Sequence, residues 1–284
     1  MRVLIDGELV SDAEATISVF DWGVVRGFGC FEVVRSYDGK AFRVEQHLDR
    51  MEQSAKALSI PLPDRSELAD WIRTQAATGG DCLVRSYTTA GSPDPLFSTP
   101  GRTVVMWEPL PAMPDTLRLA PRAAPWHAAG APSELSTAKT LSYAPNMAAT
   151  RAAEVEGFDE ALLLSRDETV LEGPTFSVGW FDDGVLQIPS LDLMVLASIT
   201  RQAAIEVAAG LGIEVTETHA RLDQVLEADE VFALSTVKQV APVVAIGSRE
   251  FDPGPMTAAL AEGFSALVAT ELAAEEAPKR PQTS

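Results

Sequence analysis

The sequence predicts an α+β fold arranged as two domains. In the first part of the chain, strand patterns stand before and after two helix patterns, which is typical of an α+β unit. The 284 residues are many for one hydrophobic core. A proline-rich stretch between Pro109 and Ser136 separates the two sets of patterns. We therefore predict an N-terminal α+β domain at 1–112, an interdomain linker at 113–128, a larger C-terminal domain at 129–274 and a frayed tail at 275–284.

The N-terminal domain opens with a predicted β-hairpin. Its strands, at 3–5 and 9–10, flank the tight-turn pair Asp6-Gly7. A turn around Asp21 and a glycine-rich corner at 26–29 follow. The remaining predicted elements of this domain are strands at 31–37 and 41–44, helices at 45–58 and 64–78, and strands at 82–88 and 103–107.

The C-terminal domain mixes helices and strands without an internal repeat. The residues from 176 to 181 form a further apolar segment between its first strands and its second helix. Its predicted elements are a helix at 144–156, strands at 161–165 and 169–171, a helix at 199–211, strands at 213–216 and 231–234, and a closing helix at 256–272.

Charge, cysteine count and apolar runs exclude several classes of function. Acidic residues outnumber basic residues by 41 to 22, and the net charge of −19 disfavours nucleic acid and anionic membrane as partners. Two cysteines and three scattered histidines offer no metal-binding cluster. The start of the chain lacks a signal-peptide pattern, and no apolar run is long enough for a membrane helix. We expect a cytoplasmic protein.

Polar residues stand at the ends or edges of several predicted elements. Lys139 lies among small and hydroxyl-bearing residues just after the proline-rich stretch, where a desolvated amine would be nucleophilic. Glu172 ends an apolar strand beside Gly173 and Pro174, so that it faces water in a turn or points into a pocket. Ser198 is a good helix N-cap, and the amides of Ile199 and Thr200 after it would form an anion site.

Two further positions complete this set. Ser235 and Thr236 follow a strand and could offer a hydroxyl and an amide to the same anion. Arg50, on the polar side of the helix at 45–58, could add a cation. Taken alone, each of these residues also fits a solvated position on the surface. Together they supply an amine, an acid and a phosphate cradle, the groups that pyridoxal 5'-phosphate (PLP) requires.

Seven segments of the chain occur in the order of a known family. They are 21–23 with 26–32, 47–50, Lys139 with Tyr143 and Asn146, 157–161, 170–173, 199–201, and Thr236 with 240–243. In these segments, over about residues 2–250, the sequence resembles the class IV aminotransferases, the fold type IV PLP enzymes. That family includes branched-chain and D-amino-acid transaminases and aminodeoxychorismate lyases. The resemblance implies a small N-terminal α+β domain, a larger C-terminal domain with a β-barrel-like core, and a homodimer.

The resemblance also implies a role for each matched residue. Lys139 would form the Schiff base with PLP and move the substrate proton, and Glu172 would face the pyridine nitrogen. Tyr143 would reach the phenolic oxygen of the cofactor. Four residues would hold the phosphate: Arg50, Ile199, Thr200 and Thr236.

Departures from the family pattern concern the substrate. Gly27-Phe28-Gly29 stands where members often have Gly-Asp-Gly, and the turn after Glu172 lacks a common Asn. Ala90 replaces the carboxylate-binding Arg of one D-amino-acid transaminase pattern.

Other residues could bind the substrate in its place. Alternation along the strand at 31–37 puts Phe31, Val33 and Arg35 on one face, which resembles the pocket wall of the family. Arg26 and Arg85 are further candidates for gripping a carboxylate with two parallel hydrogen bonds.

These features predict a PLP-dependent amino-acid transaminase that uses a 2-keto acid such as 2-oxoglutarate or pyruvate. Branched-chain or similar apolar amino acids are the first expectation for the donor, and D-amino acids the second. The alternative reaction is that of an aminodeoxychorismate lyase, which eliminates pyruvate with the same cofactor and lysine. A binding protein that has lost its cofactor is disfavoured because every expected PLP contact has a candidate residue.

Overall fold

The computed structural model describes residues 2–133 and 135–274, and these form two β-sheets with helices packed on them. The predicted tail at 275–284 lies outside the described residues. None of the described helices is both long enough and apolar enough to cross a membrane. The mixed architecture that the sequence predicts is therefore confirmed.

The first sheet is antiparallel and has the strand order β2-β1-β6-β5-β3-β4. Its strands are β1 (Arg2–Ile5), β2 (Glu8–Ser11), β3 (Gly29–Tyr37), β4 (Lys40–Ala41), β5 (Cys82–Thr89) and β6 (Thr103–Pro109). Its helices are α1 (Trp22–Arg26), α2 (Val44–Leu58) and α3 (Arg65–Gly79). The predicted hairpin is present, with positive φ at Asp6 and Gly7 as its tight turn requires.

Helices α2 and α3 cover one face of this sheet. Leu48 and Met51 on α2 pack against Ile72 on α3 and against Val34 and Val84 on the strands below. Along β3, Glu32, Val34 and Ser36 are buried under the helices, whereas Phe31, Val33 and Arg35 are only partly covered. The predicted alternation is therefore correct, and it leaves one face of β3 turned away from the helices.

The second sheet mixes parallel and antiparallel strands in the order β11-β10-β9-β12-β13-β7-β8, with β14 paired to β13. Its strands are β7 (Leu117–Ala123), β8 (Glu160–Leu164), β9 (Ser177–Asp182), β10 (Val185–Pro189), β11 (Val215–Thr218), β12 (Glu230–Ser235), β13 (Gln239–Ile246) and β14 (Arg249–Glu250). Its helices are α4 (Ala144–Val155), α5 (Ile199–Gly210), α6 (Leu222–Val225) and α7 (Pro255–Ala274).

Two strands of this sheet that contain prolines were not predicted from the sequence. The stretch 113–128, predicted as a linker, contains β7, which pairs with β8 and β13 in spite of Pro121. Strand β13 contains Pro242 opposite Phe232 and was not predicted. A proline lacks the backbone N–H of a ladder residue, so it weakens the strand pattern without always ending the strand. The domain boundaries themselves stay a prediction.

Three of the predicted short elements differ in the structure. The strand expected at 169–171 is reduced to single bridges, Leu164 with Val170 and Thr169 with Arg221. The strand expected at 41–44 ends at Ala41, because Arg43 has φ of 54° and cannot continue an extended chain. The turn expected around Asp21 is the start of α1, where the Asp21 side chain accepts a hydrogen bond from Gly23 N–H at 2.7 Å.

Arg43 and Phe42 join the first sheet to helices of the second. The Arg43 guanidinium forms hydrogen bonds with the carboxylates of Glu206 on α5 and Glu271 on α7. The ring of Phe42 lies edge-on to that of Phe264 on α7, with centroids 6.1 Å apart. These contacts hold the connection between β4 and α2 against α5 and α7.

The substitution Arg43→Met tests this connection. The Arg43 side chain is 5% exposed and its partners are 43% and 35% exposed, so water can rehydrate the acids after the change. We expect the free energy of unfolding to fall by about 2 kcal/mol, between the values for exposed and buried ion pairs. Arg65→Met, at a solvated cluster of three carboxylates, should cost below about 1 kcal/mol. If urea unfolding gives equal losses of unfolding free energy for both variants, Arg43 does not hold this connection.

Candidate active site

Lys139 lies where the segment before α4 crosses the beginning of β3. Its backbone N–H donates to Oγ of Ser54 on α2 at 2.9 Å, and its carbonyl accepts the N–H of Phe31 at 3.0 Å. The next residues extend this contact, because Thr140 bridges Cys30 and Leu141 N–H donates to the Gly29 carbonyl at 2.8 Å. The lysine backbone is therefore fixed from a helix and a strand of the first domain.

Two aromatic rings flank the amine of Lys139, a partly buried residue. Its Nζ lies 4.4 Å from the ring centroid of Phe31 and 5.7 Å from that of Tyr143. Burial, and after it the positive charge of Arg50, lowers the pKa of Lys139 to about 8. A much larger share of this amine is therefore uncharged near neutral pH than is usual for lysine, as nucleophilic attack requires.

Arg50 is buried, which corrects the prediction that it lies on the polar side of α2. Its Nε and Nη2 each donate to a carboxylate oxygen of Glu32 at 2.7 Å, and Nη1 donates to the carbonyl of Ala197 at 3.0 Å. The helix pattern predicted an exposed Arg50 because it does not show that a buried acid on β3 pairs with the guanidinium. Arg50 thus connects the core of the first domain with the residues just before α5.

Glu32 and His47 complete this buried cluster, and no role was predicted for them from the sequence. Nδ1 of His47 lies 2.8 Å from Oε2 of Glu32. Burial by itself raises the pKa of Glu32, but the charge of Arg50 and hydrogen bonds from Arg50 and His47 outweigh it and hold that pKa well below its usual range. Burial lowers the pKa of His47 below its ordinary value in spite of the Glu32 contact. The signal available in the sequence was the burial of residue 32 by alternation along β3.

Glu172 follows the bridge at Val170, and its charge acts on Lys139. Its Oε2 accepts the backbone N–H of Leu196 at 3.1 Å, and its backbone carbonyl accepts the N–H of Leu163 at 2.8 Å. Tyr143 occupies the N-cap position of α4. Burial and the negative charge of Glu172 raise the pKa of Tyr143 above its ordinary value, so this phenol stays protonated.

The beginning of α5 is capped as the sequence predicts. Ser198 is the N-cap, and its Oγ accepts the N–H of Arg201 at 3.2 Å. Ile199 and Thr200 are buried in the first turn, where their backbone N–H groups have no acceptor within the helix. The Arg50 hydrogen bond to Ala197 brings a cation to the same helix end.

Ser235 ends β12, and Thr236 begins the turn to β13. Oγ of Ser235 accepts the N–H of Lys238 at 2.9 Å, which closes this turn. The Lys238 amine donates to Oε1 of Glu160 at 3.2 Å and to Oγ1 of Thr175 at 3.4 Å. Lys238 therefore ties the turn to the loop that follows Glu172, a contact that the sequence pattern did not reveal.

The five residues predicted to bind the substrate are not equivalent. Val33 on β3 pairs with Arg85 on β5, and Arg85 Nε donates to Oε1 of Glu108 at 2.6 Å. The charge of Arg85 contributes to lowering the Lys139 pKa, whereas Arg35 stacks on Tyr37 with 4.9 Å between guanidinium carbon and ring centroid. Nε of Arg35 is buried and has no hydrogen-bond partner among the described residues.

Arg26 does not join this group. It ends α1, is exposed, and lies over the Trp22 ring with 5.6 Å between its guanidinium carbon and the ring centroid. The structure places the rings of Phe31 and Tyr143 beside Lys139, and the charges of Arg50 and Glu172 act on its amine. The beginning of α5 is connected to this group through the hydrogen bond from Arg50 to the carbonyl of Ala197. An amine of low pKa, an acid and a helix N-terminus beside a cation form a donor set that fits PLP.

Comparison with known proteins decides the family. The family model described as amino-transferase class IV matches residues 29–246. The chain belongs to the class IV aminotransferases. PLP is the cofactor of this family and therefore of this enzyme.

Relatives of this aminotransferase carry different names. It is 31% identical to a putative branched-chain-amino-acid aminotransferase of Methanocaldococcus jannaschii, over 93% of this chain and 95% of the relative. It is 29% identical to a bifunctional aminodeoxychorismate lyase and D-amino acid transaminase of Mycobacterium tuberculosis, over 95% of this chain and 100% of the relative.

A solved structure has the same fold as this aminotransferase. It is the PLP-bound form of a hypothetical aminotransferase from Mycobacterium tuberculosis, with a TM-score of 0.87 and 26% identity. The match covers 95% of this chain and 100% of that one. The names of the relatives differ in substrate, and one of them combines a lyase with a transaminase.

The lowered pKa of Lys139 can be tested by its reaction with pyridoxal, which lacks the phosphate. Only the neutral amine attacks the aldehyde, so we expect the rate of covalent capture by PLP-free protein to rise with pH around a midpoint near 8. Arg50→Gln removes the neighbouring cation and should move the midpoint upward. Arg50→Lys keeps the charge and serves as the control. A wild-type midpoint near 10.5, the ordinary value for lysine, contradicts a desolvated amine.

Proposed function

We propose that the enzyme is a PLP-dependent amino-acid transaminase in which Lys139 binds the cofactor. The observation that carries this proposal is the Lys139 amine, which lies beside the rings of Phe31 and Tyr143 and has its pKa lowered to about 8. Its backbone is bonded to α2 and β3 of the first sheet. An amine that is neutral in a large share of molecules can form an imine with an aldehyde and can later accept a proton from the substrate.

The other PLP contacts follow from the same geometry. The phosphate would be bound by the first-turn amides of Ile199 and Thr200, by Ser198, and by Ser235 and Thr236 from the neighbouring turn. Arg50 would balance the phosphate charge from the side of Ala197. Glu172 would bind the protonated ring nitrogen, and the Tyr143 phenol, held protonated, would donate to the phenolic oxygen of the cofactor.

Bound PLP supplies an aldehyde that takes up the amino group and a ring that withdraws electrons from the substrate Cα. The residues of this chain do the rest. Nζ of Lys139 moves the proton from Cα, and the rings of Phe31 and Tyr143 beside it limit access of water. Glu172, by holding the ring nitrogen in its protonated form, strengthens the withdrawal of electrons.

For the donor we propose branched-chain or similar apolar amino acids first and D-amino acids second. Phe31 and Val33 provide an apolar wall beside Lys139, which suits an aliphatic side chain. Arg85 is the preferred carboxylate ligand, because its charge reaches Lys139 and Glu108 occupies its Nε but leaves other donors available. The name of the Methanocaldococcus relative supports the first choice. We propose 2-oxoglutarate or pyruvate as the acceptor, from the family resemblance.

Aminodeoxychorismate lyase activity is the second candidate. It is supported by the relative from Mycobacterium tuberculosis, whose name combines that lyase with a D-amino acid transaminase. The two reactions use the same cofactor and the same lysine, so they differ in whether a keto-acid acceptor is required.

We further propose a homodimer that forms through an apolar surface next to the lysine segment. This surface consists of exposed apolar residues just before α1, on α1, and on the loop between β5 and β6: Val19, Phe20, Val24, Val25, Leu96 and Phe97. The rings of Phe20 and Phe97 stack with centroids 4.5 Å apart, which joins the two parts. Contiguous exposed apolar area of this kind marks an interaction site, and Gly27 links it to Ser142 of the lysine segment by a 3.0 Å hydrogen bond.

The cofactor and the reaction are tested together with Lys139→Ala. The purified enzyme should absorb violet light, and so look yellow, and the variant should lose this absorption band. Lys56→Ala, at an exposed lysine of α2, is the matched control and should keep it. L-leucine, D-alanine and (R)-1-phenylethylamine are then offered with each keto acid. Colourless protein that does not bind added PLP contradicts the proposal. Release of pyruvate from aminodeoxychorismate without any transamination identifies the enzyme as the lyase.

The dimer is tested with Val24→Glu, which puts a charge into the apolar surface. We expect wild-type enzyme to scatter light as a dimer at micromolar concentration and the variant as a monomer, because a buried unpaired carboxylate costs several kcal/mol. Val155→Glu, at another exposed valine on α4, should stay dimeric. A monomeric wild-type enzyme, or a dimeric Val24→Glu variant, contradicts this interface.

A further inference from the structure

His127 is a largely buried histidine in the turn after β7. Its backbone N–H donates to the carbonyl of Ala124 at 2.9 Å, and Nδ1 of its ring accepts the backbone N–H of Ala129 at 3.0 Å. A ring nitrogen that accepts a hydrogen bond carries no proton, so the neutral imidazole holds its proton on Nε2. The turn therefore selects the tautomer of His127.

The nitrogen that carries this proton faces Glu172. Nε2 of His127 lies 3.4 Å from Oε1 of Glu172, and the two side chains are 11% and 15% exposed. The other oxygen of Glu172 accepts the backbone N–H of Leu196. The two oxygens of one carboxylate are thus approached by N–H groups from two different segments.

These segments are also packed together. Ala129, which orients the His127 ring, packs against an apolar cluster of three buried residues: Leu171, Leu193 and Val195. The N–H of Gly130 donates to the Leu193 carbonyl at 3.1 Å. Because the cluster contains the neighbour of Glu172 and the neighbour of Leu196, the three polar groups are held in fixed relative positions.

We propose that His127 is a positioning residue that fixes the carboxylate of Glu172. This inference rests on the proposed function, in which Glu172 binds the ring nitrogen of PLP. A carboxylate with a hydrogen bond at one oxygen and the His127 ring against the other loses less rotational freedom when the cofactor binds, which favours binding. His127 acts only through Glu172.

The other two histidines of the chain serve as internal references. His47 has its Nδ1 against the carboxylate of Glu32, so its proton lies on Nδ1, the opposite tautomer. His219 is exposed and has Nε2 2.6 Å from Oδ1 of Asp192. The three rings therefore differ in tautomer or in exposure, which allows their NMR signals to be distinguished.

The tautomer is read directly from long-range ¹H–¹⁵N NMR spectra of PLP-free protein labelled at histidine, at about pH 8, above the ordinary histidine pKa. The signal lost in His127→Gln identifies residue 127. We expect the Nε2–H tautomer for His127 and the Nδ1–H tautomer for His47. Glu172→Gln should shift the Nε2 signal of His127 and leave that of His47 in place. An Nδ1–H tautomer, or a His127 signal that ignores the change at 172, overturns the proposal.

The effect on the cofactor is measured with two variants. His127→Gln keeps an acceptor and an N–H donor, whereas His127→Phe keeps a ring without either. We expect His127→Phe to weaken PLP binding by roughly fivefold, as the loss of one hydrogen-bond-like contact implies, and to shift the absorption maximum of bound PLP. His127→Gln should restore both properties. Equal behaviour of the two variants overturns the proposal.

Two controls separate the possible failures. Thermal unfolding of the PLP-free variants measures any general loss of stability, and a PLP affinity that follows this loss in both variants counts against positioning. If wild-type protein does not bind PLP, the proposed function fails, but the tautomer experiment on PLP-free protein still decides the geometry around His127.

Discussion

Arg50 can be buried at the junction of the two domains only because Glu32 binds its guanidinium from β3. An unpaired charge in that position would cost several kcal/mol, and the paired one can be used for other contacts. The cation lowers the pKa of Lys139, and its remaining nitrogen holds the carbonyl of Ala197 just before α5. One ion pair inside the smaller domain therefore influences both the nucleophile and the phosphate end of the proposed site.

The parts of this fold that the sequence predicts are those with a strong local pattern. Helices α2, α3 and α5 repeat apolar residues at helical spacing, and Ser198 caps α5 as expected. Strands β7 and β13 were not predicted because each contains a proline. The residue at 43 ends a strand because its φ is left-handed, which no side-chain pattern indicates. Local patterns record side-chain periodicity, whereas these exceptions are set by tertiary pairing.

The candidate site divides in the same way. Residues at element ends, such as Glu172 and Ser198, are visible in the sequence because the end of an apolar run is itself a signal. Arg50 was assigned to the wrong side of its helix because its partner is 18 positions away in the chain. Lys238 and Glu160, 78 positions apart, share a buried contact that depends on the second sheet bringing β8 near the turn after β12. Such pairings follow from topology.

The proposed cofactor contacts come from both domains, with Arg50 on one side and Glu172, α5 and the turn after β12 on the other. A ligand that binds only the native arrangement stabilises it in proportion to the logarithm of its free concentration. If PLP is held in this way, the supply of vitamin B6 in the cell would set how long newly made chains survive proteolysis. Scarcity of the vitamin would then reduce the amount of enzyme as well as its occupancy.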